Sequence, residues 1–266
     1  MSGGLLSLHC TSFGVPFTLS ASSAALLAQM RQRAPHAADL NDRPTAGAAH
    51  FTVVQSSESY RLIIDEAPIA EAADLAPLLD QLARGLMVHV ANHAPDRVFI
   101  HAGVVGWRGR ALLLPGRSFA GKTTLVAELM RAGAVYYSDE YAVLDDLGRV
   151  HPYARDLQMR LDRDALQASV PVAQLNGRTG IDSLPVSLVV FTEYVEGSQW
   201  RPEPVSPGMA ALEMLRHAIP VQRTPARVMA VLAKAMEAAT ALRSPRGEAS
   251  PAASCILLAM ERIPRT

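Results

Sequence analysis

A glycine-bearing segment between a short apolar run and a helical pattern constrains this chain more than any other part of its sequence. Residues 112–124 are LLLPGRSFAGKTT, in which Gly116, Gly121, Lys122 and Thr123 occupy every fixed position of the pattern G-x-x-x-x-G-K-S/T. In that pattern a strand passes into a helix through a loop whose backbone N–H groups converge on an anion, at the positive end of the helix dipole. The segment therefore predicts a phosphate-binding loop for a nucleotide.

The residues on both sides of the loop favour this interpretation over its alternative, a plain turn before a helix. Residues 111–114 are an apolar run typical of a buried strand. Residues 123–130 carry apolar side chains at helical spacing, and Gly133 follows where helices commonly end. We expect contacts to the nucleotide along the whole loop: Gly116, Arg117, Ser118, Phe119, Ala120, Gly121, Lys122, Thr123 and Thr124.

Two side chains of the loop carry its expected chemistry. Lys122 would neutralise the β- and γ-phosphates as a point charge, and the Thr123 hydroxyl would ligate the Mg2+ that bridges them. Arginine supplies nearly all the positive charge of this chain, and lysine occurs only at positions 122 and 234. Lysine thus stands where the pattern requires it, and the predicted cofactors are ATP and Mg2+.

A second informative segment is AVYYSDEYAVLDD, residues 134–146, where an apolar run reaches Asp139 and Glu140 and then resumes. Asp139 lies 17 residues after Lys122, about the length of one helix, a turn and one strand. Both residues can therefore return to one edge of a sheet, where an acid is placed to meet the metal or the attacking nucleophile. The alternative is a solvated turn within a β-hairpin.

Residues 100–146, IHAGVVGWRGRALLLPGRSFAGKTTLVAELMRAGAVYYSDEYAVLDD, resemble the catalytic core of HPr kinase/phosphorylase and of shorter HPr-kinase-related proteins. That family has a strand with a histidine, a hairpin, the phosphate loop, a helix and an acidic pair on the next strand. The resemblance implies an α/β fold: a P-loop kinase core with a mixed sheet like the HPr kinase C-terminal domain, preceded by a small α+β N-terminal module.

The resemblance also implies roles for individual residues. Lys122 and Thr123 match the lysine and the Ser/Thr of the family's loop, and His101 matches its upstream histidine. Asp139 matches the first acid, which accepts the proton of a substrate serine hydroxyl, and Glu140 stands where the family often has a second Asp. We therefore expect Asp139, Lys122 and His101 to be catalytic, and Thr123 and Glu140 to serve the metal.

The implied activity is transfer of the γ-phosphoryl group of ATP to a hydroxyl, a serine on a protein or a ribosomal peptide. Two alternatives use the same loop: a nucleotide-binding or NTPase regulatory module without a phosphoacceptor, and a small-metabolite kinase. A short motif does not encode the acceptor pocket, so all three stay open. Arg155 and Arg160 would supply charge to the γ-phosphate or lie on the surface.

Composition excludes some partners. Twenty-five basic side chains balance 25 acidic ones without any Lys/Arg-rich run, so we expect no nucleic-acid partner. No apolar stretch has the length of a membrane span, and the start MSGGLLSLHC lacks the features of a signal peptide, so a cytoplasmic location without membrane binding is expected. Cys10 and Cys255 are expected to be reduced, buried thiols. A homo-oligomer stays open.

The periodicity of the chain predicts two domains. Residues 1–94 form the N-terminal module, with a helix over 23–34, a hairpin over 50–65 and a second helix over 74–93. Two histidines spaced four apart on that second helix lack a third metal ligand, so helix surface or packing is favoured for them: His89 and His93. Residues 95–266 form the kinase domain.

Beyond the acid pair, the kinase domain is expected to contain further elements in chain order. These are a polar start over 161–169, a turn over 174–180, a buried strand over 184–194, a Pro-rich loop over 196–208, two helices over 209–219 and 225–242, and a final strand over 255–263. The Pro-rich loop is either a lid over the substrate or an ordinary connection.

Overall fold

The structure, a computed structural model, describes residues 4–35, 38–117, 120–160, 167–175 and 177–264. The chain is mixed α/β and divides into two compact units, Met1–Asp96 and Arg97–Thr266. This division lies close to the boundary at 94 and 95 that we expected from the sequence.

The described residues of the first unit form a six-stranded sheet and two helices. Its elements are β1 (Leu6–Ser12), β2 (Val15–Ala21), α1 (Ala24–Gln32), β3 (Asp39–Asn41), β4 (Ala49–Gln55), β5 (Tyr60–Ile64), β6 (Ala67–Ala72) and α2 (Leu75–His93). The strand order is β3-β1-β2-β4-β5-β6. Antiparallel pairing of β4 with β5, which sets Gln55 opposite Tyr60, confirms the predicted hairpin, and α1 and α2 confirm both predicted helices.

The second unit contains residues 116–124, the predicted phosphate loop (the phosphate-loop segment), and all elements that follow it. Its elements are β7 (Val98–Trp107), β8 (Arg110–Pro115), α3 (Lys122–Arg131), β9 (Val135–Ser138), β10 (Tyr141–Leu144), β11 (Arg149–His151), β12 (Leu157–Arg160), β13 (Gln167–Val170), β14 (Leu184–Phe191), β15 (Glu203–Val205), α4 (Pro207–Leu215), α5 (Pro225–Met236), β16 (Thr240–Arg243) and α6 (Ala249–Arg262). The predicted loop context, a strand before it and a helix after it, is therefore present as β8 and α3.

The main sheet of this unit is mixed, with the strand order β11-β10-β7-β8-β14-β16-β15. Strands β8, β14 and β16 are parallel, so their carboxyl ends, at Pro115, Phe191 and Arg243, lie at one edge of the sheet. Ligands of open α/β sheets bind in the crevice outside such carboxyl ends. The phosphate-loop segment leaves β8 at this edge.

Strand β7 pairs along one side with two strands, one after the other. Its first part pairs with β10, with His101 opposite Tyr141, and its second part pairs with β9, with Val104 opposite Ser138. Because β9 and β10 follow each other along β7, the residues between them do not form a β-hairpin turn. Asp139 and Glu140 therefore lie at a junction against the middle of β7.

Helices cover both faces of the sheet. On one face α4 and α5 bury Met214, Val231 and Leu232, and on the other α3 and α6 bury Leu129 and Ile256. A strand covered on both faces has a continuous apolar sequence, which is why residues 184–194 predicted a buried strand. Strand β14 occupies residues 184–191 of that range.

Two predictions in the C-terminal part differ from the structure: the strand over 255–263 is wrong, and the helix over 225–242 is confirmed only over 225–236. Residues 255–263, expected to be a final strand, lie mostly in α6, which begins at Ala249. Its buried positions recur every three or four residues, a helical period visible only when the pattern is followed from 249: Ala249, Ala252, Ala253, Ile256, Leu257 and Met260. Cys255 is exposed on this helix, so only Cys10 is a buried thiol.

The helix expected over 225–242 ends earlier, at Met236. Residues 240–243 form β16, which pairs with β14 on one side and β15 on the other. Alanine and leucine favour helix locally, but pairing within the sheet decides the structure of these four residues. Residues 161–166 and Asn176, within two predicted segments, lie outside the described residues.

Among the described residues, none of the helices combines the length and the apolar character needed to traverse a lipid bilayer.

Candidate active site

The phosphate-loop segment runs from the end of β8 to the first turn of α3. Gly121, immediately before the helix, has φ +75°, a left-handed conformation that glycine adopts without steric cost. Thr124 is exposed in the first turn of α3. The predicted contact residues Ser118 and Phe119 lie outside the described residues.

The Lys122 side chain folds back along the loop. Its Nζ donates to the carbonyl oxygens of Gly116 at 2.8 Å and Arg117 at 2.7 Å. Burial lowers the pKa of Lys122 to about 8, against the opposing effect of the nearby carboxylates of Glu140 and Asp139. The ammonium thus lies at the beginning of the loop and near the acidic pair.

A hydrogen bond joins the loop to the acidic segment. The Thr123 hydroxyl donates to Asp139 Oδ2 at 3.0 Å, and the Tyr136 hydroxyl donates to Asp139 Oδ1 at 2.9 Å. Burial and the Asp139 carboxylate raise the pKa of Tyr136, so its hydroxyl remains a donor. Ser138 shapes the junction, because its hydroxyl oxygen accepts from the backbone N–H of Glu140 at 3.1 Å and of Tyr141 at 2.9 Å.

Glu140 forms an ion pair with Arg155, for which the sequence left two roles open. Arg155 Nη2 lies 2.9 Å from Glu140 Oε2, and Arg155 Nε lies 3.9 Å from Asp139 Oδ1. The segment that carries Arg155 is joined to β9 by a hydrogen bond from the backbone N–H of Tyr153 to the Tyr137 carbonyl at 3.0 Å. The side chain of Arg160, the other candidate, lies outside the described residues.

His101 lies on β7 next to the acidic pair. Its Nδ1 is 2.8 Å from the carbonyl oxygen of Glu140 and 3.8 Å from Glu140 Oε1. A carbonyl oxygen only accepts hydrogen bonds, so Nδ1 carries the proton. Burial, followed by the Lys122 charge, lowers the pKa of His101, which favours the neutral ring. His101 therefore positions the backbone of Glu140.

Arg246 is a site residue that the sequence did not indicate. It is 3% exposed, and its Nη2 donates to the carbonyl oxygen of Gly121 at 2.9 Å. Nη1 of Arg246 donates to the carbonyl oxygen of Gly247 at 3.0 Å, which fixes the guanidinium from its other side. The contact to Gly121 spans 125 residues of sequence, so no local pattern reveals it.

A cavity of about 380 Å³ adjoins the beginning of the loop. It lies at the carboxyl ends of β8, β14 and β16, in the crevice where α/β sheets bind ligands. Its lining residues are Pro115, Gly116, Arg117, Ala120, Phe191, Thr192, Glu193, Glu213, His217, Arg243, Ser244 and Pro245. The His217 carbonyl accepts a hydrogen bond from the backbone N–H of His101 at 2.8 Å, which connects the cavity wall to β7.

The oxygen donors near Lys122 suit Mg2+, which prefers hydroxyl, carboxylate and phosphate oxygens. Thr123 supplies a hydroxyl, and Asp139 and Glu140 supply carboxylates.

The two histidines of α2 lie close together in the first unit. The ring centroids of His89 and His93 lie 4.4 Å apart, and His93 Nδ1 lies 2.8 Å from the His89 carbonyl oxygen. The described part of the chain contains no cluster of three or more His, Cys, Asp or Glu residues that could hold a metal ion.

No protein-family model matches this chain, and no curated protein matches it either. The arrangement of the site's own side chains therefore has to support any function. The second unit brings the Lys122 ammonium, the Thr123 hydroxyl and the carboxylates of Asp139 and Glu140 to one edge of the sheet, with His101 and Arg155 against the acids.

Proposed function

We propose that the second unit is a P-loop kinase core related to HPr kinase, and that it transfers the γ-phosphoryl group of ATP to a hydroxyl, a serine on a protein or peptide. The observation that carries this proposal is the hydrogen bond from Thr123 to Asp139, 3.0 Å long. It unites the phosphate-loop segment with the acidic segment, and P-loop NTPases hold the metal between such a pair.

Each group of the site has a task in this reaction. The loop backbone from Gly116 to Gly121 and the first turn of α3 would hold the phosphates. Lys122 would bind the β- and γ-phosphates, and Thr123 with the acidic pair would hold the metal. When bound, Mg2+ neutralises charge on the β- and γ-phosphate oxygens. One acid of the pair accepts the proton of the acceptor hydroxyl.

The acceptor would enter through the 380 Å³ cavity. Lys122 Nζ lies against the carbonyls of Gly116 and Arg117, and both residues line the cavity. Because the lysine meets the terminal phosphates in phosphate loops, the cavity adjoins the end of the nucleotide from which the phosphoryl group leaves. The cavity wall carries charges of both signs, positive from Arg117 and Arg243 and negative from Glu193 and Glu213.

Two observations favour alternative functions. The pairing of Asp139 with the loop hydroxyl, followed by Glu140, is also an arrangement for an NTPase in which an acid orients water. A cavity of about 380 Å³ lies within the range of small-molecule pockets, which agrees with a small-metabolite acceptor.

Transfer of labelled phosphate distinguishes these functions. The protein is incubated with γ-labelled ATP, Mg2+ and a library of serine-bearing peptides with random flanking residues. We expect labelled peptide from the native chain and from Lys234→Ala, which removes an exposed lysine on α5, and none from Lys122→Ala. Labelled inorganic phosphate without labelled peptide would favour the NTPase. Absence of both products would contradict the peptide kinase and the NTPase, and would leave the small-metabolite kinase as the function to assay.

A further inference from the structure

We infer that Tyr194 forms the base subsite of the nucleotide, an aromatic surface on which the adenine ring of ATP stacks. The inference rests on the proposed function, because it requires that the phosphate-loop segment binds the triphosphate. Three features of the structure carry it: the direction of the loop, the contacts that Arg246 makes between the loop and Tyr194, and the exposure of the tyrosine.

The two ends of the phosphate-loop segment meet different parts of a nucleotide. Lys122 Nζ lies at the carbonyls of Gly116 and Arg117, where β8 passes into the loop. In phosphate loops the lysine reaches the β- and γ-phosphates, while backbone N–H groups hold the α- and β-phosphates. The terminal phosphate therefore lies toward Gly116. The nucleoside leaves the loop beside the first turn of α3, where Thr124 is exposed.

Arg246 connects this end of the loop to an aromatic ring. Its Nη2 donates to the carbonyl oxygen of Gly121 at 2.9 Å, at the entry to α3. Cζ of the same guanidinium lies 5.7 Å from the ring centroid of Tyr194, within the range of a cation–π contact. The backbone N–H of Arg246 donates to the Glu193 carbonyl at 2.9 Å, and the N–H of Val195 donates to the Arg246 carbonyl at 2.8 Å. Backbone and side-chain contacts thus fix the tyrosine beside the loop.

Tyr194 combines exposure with a fixed orientation. It is 41% exposed, whereas Arg246, which lies against its ring, is 3% exposed. The Tyr194 hydroxyl donates to Glu248 Oε1 at 3.1 Å, and Glu248 directly precedes α6, which packs against α3. A nucleobase stacks on an aromatic side chain through its own π-face. Because the ring is already oriented by these contacts, little side-chain freedom is lost when a base binds to it.

The base subsite and the acceptor cavity adjoin different ends of the loop. Glu193 and Pro245 line the cavity together with Gly116, where the terminal phosphate lies. Tyr194 and Arg246 directly follow these two residues in the chain, and Arg246 contacts the loop at its other end, next to α3. The adenine ring and the acceptor hydroxyl therefore occupy separate places at opposite ends of the triphosphate.

Comparison of ATP with inorganic tripolyphosphate separates the base from the phosphates, since both carry three phosphates and only ATP carries adenine. Each compound is titrated calorimetrically, with Mg2+, into the native chain and its variants. Tyr194→Leu should bind ATP about tenfold more weakly, because it removes the stacking surface, and should bind tripolyphosphate with native affinity. Tyr194→Phe keeps the ring and should bind ATP with nearly native affinity. Tyr60→Leu, which removes a tyrosine from β5 of the first unit, is the matched control and should change neither affinity.

Several outcomes would overturn the base subsite. Native ATP affinity in Tyr194→Leu would exclude stacking on this ring. Equal losses of affinity for ATP and for tripolyphosphate would also exclude it, since the tyrosine would then act on the loop through Arg246. Failure of the native chain to bind either compound would contradict the nucleotide site, and with it the subsite and the proposed function together. A selective loss of ATP binding in Tyr194→Leu, without labelled peptide from the native chain, would support the subsite and contradict only the peptide kinase.

Discussion

The Thr123 hydroxyl donates to Asp139 Oδ2 at 3.0 Å, across a sequence separation of 16 residues. Thr123 lies in the first turn of α3, which leads the chain away from this edge of the sheet, and β9 returns the chain to the same edge beside β7. The bond therefore depends on the packing of one helix and two strands, and it converts two sequence motifs into one site.

Replacing Thr123 with valine, which has a similar shape, should affect both stability and metal-dependent binding. The buried Asp139 carboxylate would lose one donor, which costs about 1–3 kcal/mol in the free energy of unfolding. ATP should also gain less affinity from Mg2+. Urea unfolding and calorimetric titration measure the two effects. Thr123→Ser is the control, since it keeps the hydroxyl; native metal dependence in Thr123→Val would exclude Thr123 from the metal site.

Tyr136→Phe should destabilise the second unit without removing any group that we expect to contact ATP. The substitution removes the hydroxyl that donates to Asp139 Oδ1. A buried acceptor that loses its donor lowers the free energy of unfolding by about 1–3 kcal/mol. Tyr60→Phe, at a half-buried position on β5, should change stability by no more than about 0.5 kcal/mol. Equal unfolding midpoints for the two variants would disprove a stabilising hydrogen bond at Tyr136.

Arg246→Met should weaken ATP binding, because the guanidinium holds the carbonyl of Gly121 at the entry to α3. We expect a loss of several-fold in affinity, since a misplaced loop presents its N–H groups less well to the phosphates. Arg131→Met removes an exposed arginine at the other end of the same helix and should leave affinity unchanged. Binding by Arg246→Met at the native affinity would separate Arg246 from the function of the loop.

The C-terminal helix supplies a test of the fold. Ile256→Ala removes a fully buried side chain of α6 and should lower the free energy of unfolding by about 2–5 kcal/mol. Leu258→Ala, on the exposed side of the same helix, should change it by about 0.5 kcal/mol or less. Similar losses at both positions would contradict a helix that buries Ile256 against α3.

The helices that begin with clear signals could be predicted from sequence. Helix α2 was visible because apolar residues recur at helical spacing, and α3 because the loop pattern specifies a helix after it. Strand β16 was missed, since four residues have no period of their own and take their structure from β14 and β15. Local propensity yields to such pairing.

The site shows the same division between local and distant information. Lys122, Thr123 and the acidic pair are contained in motifs, and their spacing allowed a common sheet edge. Arg155 contacts Glu140 from a segment that the hydrogen bond from Tyr153 to Tyr137 joins to β9, and no spacing in the sequence encodes either contact. Arg246 reaches Gly121 from a loop 125 residues further along the chain, so only the folded structure reveals it.

Calorimetric titration of ATP·Mg2+ into the native chain, Lys122→Ala and Lys234→Ala tests whether residues 116–124 bind a nucleoside triphosphate through its phosphates. Lys122 lies at the loop carbonyls, whereas Lys234 is an exposed lysine paired with Glu237, so the two substitutions remove the same charge from different places. We predict native affinity for Lys234→Ala and at least about tenfold weaker binding for Lys122→Ala, a difference of about 1.4 kcal/mol or more. Equal affinity of all three proteins, or absence of binding by the native chain, would contradict the nucleotide site.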